Sequence, residues 1–133
     1  MFIPNNNTLN NEKFKFLIIE NELTNRKLTE LLLNSRFNCE VYSVGTCEEA
    51  LAEANNQLFN LIFMNIGLPA TDELLAVKMI RQGSVNKHTP IIATSGTLYG
   101  EKFCLEAGIN AFLAKPFSIL EFENIIKKFL PLE

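Results

Sequence analysis

The chain predicts an α/β domain in which a parallel sheet carries helices on both faces. Three observations carry that prediction across its 133 residues. Short apolar runs alternate with amphipathic segments five times over, the pattern of repeated βα units. Most of the runs are continuous rather than alternating, as strands covered on both faces are. Polar residues suited to capping stand where helical segments begin.

Each element has its own warrant. "KFLII" (Lys15–Ile19) is the first apolar run, and "ELTNRKLTELLLNS" after it places Leu28, Leu31, Leu32 and Ser35 at helical spacing. "CEVYSV" alternates and is rich in β-branched and aromatic residues, which favour a strand. "TCEEALAEANNQ" opens on Thr46 with Glu49 three residues later, a capping box at a helix start. "NLIFM" reads as the third strand and "DELLAVKMIRQ" as the third helix, with Asp72 its expected N-cap. "PIIAT" supplies the fourth strand, and "LYGEKFCLEAG" a weaker helix closed by Gly108. "NAFLA" is the fifth strand. In "SILEFENIIKKFL", Ser118 and Glu121 form a second capping box, while Phe122, Ile125, Ile126 and Phe129 make the apolar face. No repeat or linker interrupts residues 15–130. The expected organisation is a flexible, Asn-rich lead-in over residues 1–13 and a single domain over residues 14–133.

Charge and composition narrow the function classes. A net charge of −3 with scattered Lys and Arg argues against nucleic acid as a main partner, because phosphate binding needs clustered positive charge. No apolar run approaches the ~20 residues needed to span a bilayer. The N-terminus lacks the basic and long apolar regions of a signal peptide. Cys39, Cys47 and Cys104 are odd in number and lack metal-type spacing, so they read as small hydrophobes in a reducing, cytoplasmic setting.

Right-handed crossovers leave few topologies for five such units, and the flavodoxin-like, doubly wound strand order 2-1-3-4-5 is the expected one. Such sheets bind ligands beyond the carboxyl ends of the strands, at the switch between the first and third. The residues delivered there are Glu20 and Asn21, Asn65, Ser95 and Lys115. An acid, a base, a hydroxyl and two amides suit an anion or metal site, and are equally what ordinary strand ends look like.

The segments around these residues resemble a known family. "FLIIENELTNRKLTELLL" is similar to the first strand and acidic turn of bacterial response-regulator receiver domains, above all those attached to hybrid histidine kinases. "NLIFMNIGLP" is similar to the segment in which that family carries its acceptor aspartate, with Asn65 at the aspartate position. "PIIATSG" matches the switch segment, with Ser95 at the Ser/Thr position. "AGINAFLAKPF" matches the last strand, with Lys115 as the family's lysine, Pro116 after it and Phe112 at the aromatic switch position. The resemblance spans residues 14–130. It implies Mg²⁺-dependent transfer of a phosphoryl group from a histidine kinase onto the acceptor aspartate.

Two departures from that pattern bear on the chemistry. The acidic pair reads Glu20-Asn21, and the acceptor position is Asn65. Where the family sets three carboxylates against one lysine, Glu20 and Lys115 alone carry charge here. Mg²⁺ wants hard anionic oxygens and gives up its water reluctantly, so a remnant of Glu20, Asn21, Asn65 and the Gly67 carbonyl is expected to bind it weakly or not at all. An amide also has no ionised oxygen to act as a nucleophile. Neither catalytic residues nor a cofactor are therefore expected.

The other matched positions have plain structural readings beside the functional ones. Ser95 could satisfy a local backbone group, and Lys115 could pair with Glu20 or reach solvent. The resemblance implies that the peptide bond before Pro116 is often cis, whereas trans is the default from the sequence alone, and Phe112 is expected to pack inward. His88 reads as a lone exposed histidine, and Tyr99 as surface. The expected function is a pseudo-receiver without phosphoacceptor chemistry, working by protein contact with a histidine kinase or signalling protein. The resemblance implies the face of the fourth helix, fifth strand and fifth helix for that contact, with a homodimer possible. The alternative is a conventional Mg²⁺-dependent phosphoacceptor in which Asn65 is an engineered substitution for Asp. A small-molecule or metal-binding flavodoxin-like module is disfavoured, because no Gly-rich phosphate loop is present.

Overall fold

The computed structural model describes residues 13–67, 71–96 and 100–131. Among them five strands alternate with five helices: β1 (Phe14–Ile19), α1 (Leu23–Arg36), β2 (Cys39–Val44), α2 (Cys47–Asn56), β3 (Leu61–Asn65), α3 (Thr71–Gly83), β4 (Ile91–Ser95), α4 (Glu101–Glu106), β5 (Ala111–Ala114) and α5 (Ile119–Lys127). The strands are parallel, in the expected order β2-β1-β3-β4-β5. Apart from Lys13, the lead-in over residues 1–13 lies outside the described residues, as does Tyr99.

Alternation along each strand divides the core in two. Leu17 and Ile19 of β1 join Ile62 and Met64 of β3 and the buried sides of α2 and α3. Phe16 and Ile18 join Phe63, Leu33 of α1, and Phe122 and Ile126 of α5 on the opposite face. Helices α1 and α5 thus cover one side, and α2, α3 and α4 the other. The Thr46–Glu49 and Ser118–Glu121 capping boxes both form. Glu49 accepts backbone N–H bonds from Gly45 and Thr46, which hold its carboxyl below the ordinary glutamate range. Gly108 follows α4 with φ of 110°, a left-handed conformation suited to glycine.

Three local expectations change. Leu28 and Leu31 are 54% and 66% exposed, whereas Leu33 is fully buried and Leu32 partly so. The inward side of α1 runs through Thr29, Leu32 and Leu33 towards Phe37 at its C-cap, because three consecutive leucines fit more than one helical phase. Asp72 lies inside the first turn of α3, which already includes Thr71, so it favours the helix dipole rather than serving as the N-cap. The Lys115–Pro116 peptide is cis, since a prolyl amide leaves the two isomers close enough in energy for context to choose.

The amino edge of the sheet is tied by polar side chains. Asn86 is fully buried. Its amide donates to the Ala54 and Gln57 carbonyls at 2.6 and 2.8 Å, and its oxygen accepts from the Phe59 amide at 2.8 Å. Arg81 donates to the carbonyls of Gly108 and Thr89 and to Asn110 Oδ1 at 2.7–3.0 Å.

Candidate functional site

The carboxyl edge of the sheet gathers the residues expected there. β1 and β3 pair in register from Phe16 with Leu61 to Ile19 with Met64, so Glu20 and Asn65 leave neighbouring strands at the same level. Asn65 pairs with Thr94 of β4, and Ser95 with Ala114 of β5, which sets Lys115 one residue beyond. Backbone bonds from Glu20 N–H to the Val44 carbonyl and from Lys115 N–H to the Ser95 carbonyl anchor both departures.

One contact defines the geometry. Lys115 Nζ donates to Asn65 Oδ1 at 2.8 Å. The lysine's partner is therefore the amide at the end of β3; neither Glu20 nor open solvent takes that role. Glu20 is 5% exposed, and its carboxylate accepts the Glu22 amide at 3.0 Å. No ion pair engages it among the described residues. Asn21 is exposed, and Ser95 is buried and bonded. Phe112 packs partly buried against the α2–α3 side of the core, as expected for a ring without a hydroxyl. Gly67 lies beside Asn65 on the rim, and His88 is exposed on the far side of the sheet.

Two cavities meet at Glu20 and Asn65. The smaller, about 360 Å³, runs between α1 and the start of α5, past Leu28, Leu32, Lys115 and Phe117. The larger, about 660 Å³, runs between α2 and α3. Glu48, Asp72 and Glu73 line it, together with Leu51, Leu75 and Met79. Reading the sequence at strand ends misses these residues. The available signal is that acidic first turns of α2 and α3 must lie at the carboxyl edge, because each helix starts where its preceding strand stops. Cys47 also lines this cavity, and burial followed by the charges of Glu73 and Asp72 raises its thiol pKa. All three cysteines are free thiols.

With respect to a metal, the site supplies one carboxylate, from Glu20, and two amides. One amide oxygen already accepts a bond from a cation. Among the described residues no group of three or more His, Cys, Asp or Glu side chains is arranged to hold an ion.

Comparison with known proteins identifies the scaffold. The model of the response regulator receiver domain matches residues 16–127. The chain belongs to that family. It is 33% identical over 118 residues to hybrid signal transduction histidine kinase M of Dictyostelium discoideum, covering 84% of this chain and 5% of that protein. It is 30% identical over 129 residues to the osmosensing histidine protein kinase SLN1 of Saccharomyces cerevisiae, covering 90% of this chain and 10% of that protein. The chain thus spans a small fraction of these two relatives. Among solved structures it resembles the receiver domain of sensor histidine kinase PA1611 from Pseudomonas aeruginosa PAO1, which holds a magnesium ion in its active-site cleft. That match has 28% identity and a TM-score of 0.77, and covers 89% of this chain and 98% of the other. Receiver domains are signalling modules that work with histidine kinases and other signalling proteins. No helix among the described residues is long and apolar enough to cross a membrane.

Proposed function

We propose that this receiver domain takes no phosphoryl group at Asn65 and signals through protein–protein contact. The observation that carries the reading is the 2.8 Å bond from Lys115 Nζ to Asn65 Oδ1. The amide keeps the lysine's hydrogen bond while removing the anionic oxygen that acyl phosphate formation requires. Mg²⁺ is a poor match to the same cleft, because neutral amide oxygens offset little of its dehydration cost. Positioning and charge stabilisation, which supply most of the rate in phosphoryl transfer, are weakened together. Ser95, Phe112 and Lys115 remain at the switch and lysine positions without a phosphate to read.

The working unit is a single domain over residues 14–133, with a histidine kinase or another signalling protein as its partner in the cytoplasm. The contact face is α4–β5–α5, where Phe103, Leu105, Ile119 and Leu120 are exposed. A homodimer through this face is part of the reading.

Incubation with acetyl phosphate and Mg²⁺ followed by intact mass measurement tests the chemistry. No adduct is expected, and a covalent phosphate at this cleft would overturn the proposal. Restoration by Asn21→Asp with Asn65→Asp is expected to recover Mg²⁺ binding, with either change alone recovering much less. Equal metal binding by the single Asn65→Asp variant would contradict the coupling.

A further inference from the structure

We propose that the cavity between α2 and α3 binds a small organic cation, a primary ammonium or guanidinium on an apolar stem. The inference rests on the reading that phosphoryl chemistry at Asn65 is absent, and it assigns a ligand class to the space beside that residue.

Shape, charge and exposed apolar surface agree. A volume of about 660 Å³ lies within the range of about 300–1,000 Å³ of small-molecule sites. Among the described residues its lining contains Glu20, Glu48, Asp72 and Glu73 and no Lys, Arg or His. The nearby Arg26 guanidinium approaches Gly45 on the rim, where its charge acts on Glu49 outside the cavity lining. Lys115 lines the other cavity and is engaged by Asn65. Where the two cavities meet, the Glu20 carboxylate is 5% exposed, bonded to the Glu22 amide and without an ion-pair partner among the described residues. A buried charge left in that state favours a cation that can reach it. On the cavity wall, burial and then the charges of Glu73 and Asp72 raise the Cys47 thiol pKa.

Two further facts separate an organic cation from a metal ion. The acidic side chains are spread so that no three could grip one ion among the described residues. Between them lie Leu51, Leu75 and Met79, and the last two are 56% and 47% exposed. A hard, hydrated dication gains nothing from that surface. An alkyl stem buries it while the charged head meets the carboxylates, with a gain proportional to the apolar area covered.

Hexylamine, added to the intact protein without phosphodonor or Mg²⁺, tests the cavity itself. Amide NMR shifts at Cys47, Glu48, Gly67 and Glu73 are expected, with a Kd on the order of 1 mM. Hexanoate, with the same stem and opposite charge, is expected to produce no such shifts. Glu48→Gln with Glu73→Gln is expected to weaken hexylamine binding about fivefold, and added salt is expected to weaken it too. A blocked Leu-Lys-Leu tripeptide forms a second arm. Tighter binding than hexylamine identifies a protein side chain as the source, and weaker binding a free amine. Absence of shifts with both cations, equal binding of hexanoate, or indifference to the double substitution would overturn the proposal. Because this titration involves no phosphoryl transfer, its failure is distinct from the appearance of a phosphate adduct at Asn65.

Discussion

Asparagines occupy both edges of the sheet, and the two edges use them in opposite ways. At the amino edge, Asn60 accepts the Lys15 amide at 2.7 Å and Asn110 accepts the Ile91 amide at 2.8 Å. Asn86 bonds with four groups from three segments of chain, including the Thr89 hydroxyl at 2.9 Å. At the carboxyl edge Asn21 is exposed, and Asn65 is held by one lysine. The amino edge completes the backbone where strands and helices end inside the fold. The carboxyl edge leaves polar groups available, which contributes little to stability and is what a recognition surface requires. The same side chain is thus a structural clamp at one edge and a lightly held strand-end group at the other, according to what its neighbours lack.

The largest expected break in that contrast is Asn86→Ala. It strands the Phe59 N–H and the Ala54 and Gln57 carbonyls inside the protein, and should cost about 3 kcal/mol in urea unfolding. A loss under about 1 kcal/mol would mean that the amino edge is not the clamp described. Arg81→Met keeps an apolar stem but removes the donors to Gly108, Thr89 and Asn110. A loss of about 2 kcal/mol by the same measurement is expected. Burial lowers the Arg81 pKa, so the charge is partly desolvated and its carbonyl partners are needed to hold it.

At the carboxyl edge, Asn65→Asp should change stability by less than about 1 kcal/mol, since the new charge meets Lys115 on one side and Glu20 on the other. A larger loss on thermal unfolding would place Asn65 among the structural asparagines. The smallest effect concerns pH. The folded-state pKa of Glu49 is lowered, so its capping contribution is present above the ordinary value of 4.5 and is lost as pH falls through the lower folded value. Glu49→Gln should flatten that acid limb in a pH series of unfolding curves, and an unchanged limb would assign it to other carboxylates.

The candidate site was partly readable along the chain. Glu20, Asn65, Ser95 and Lys115 each end an apolar run, so the βα rule alone sends them to one edge. Glu48 and Glu73 were not, because nothing in their local sequence separates a solvated first turn from a cavity wall. Asn86 and Arg81 were hidden for a related reason. Asn86 lies in the loop "SVNKHTP", of ordinary turn composition, and Arg81 in the last turn of α3; the importance of both lies in which carbonyls the fold brings within reach.

Element order, strand topology, both capping boxes and the left-handed Gly108 follow from rules acting over a few residues, or from the handedness of βα crossovers. The phase of α1, the isomer before Pro116 and the partner of Lys115 do not. Three adjacent leucines satisfy several helical phases until a sheet offers Phe16 and Phe63 to one of them. Lys115 finds an amide 50 residues away, and Asn86 a carbonyl 32 residues away. Such pairings are decided by register across the parallel sheet, where the free energy of an unsatisfied buried group exceeds any local preference.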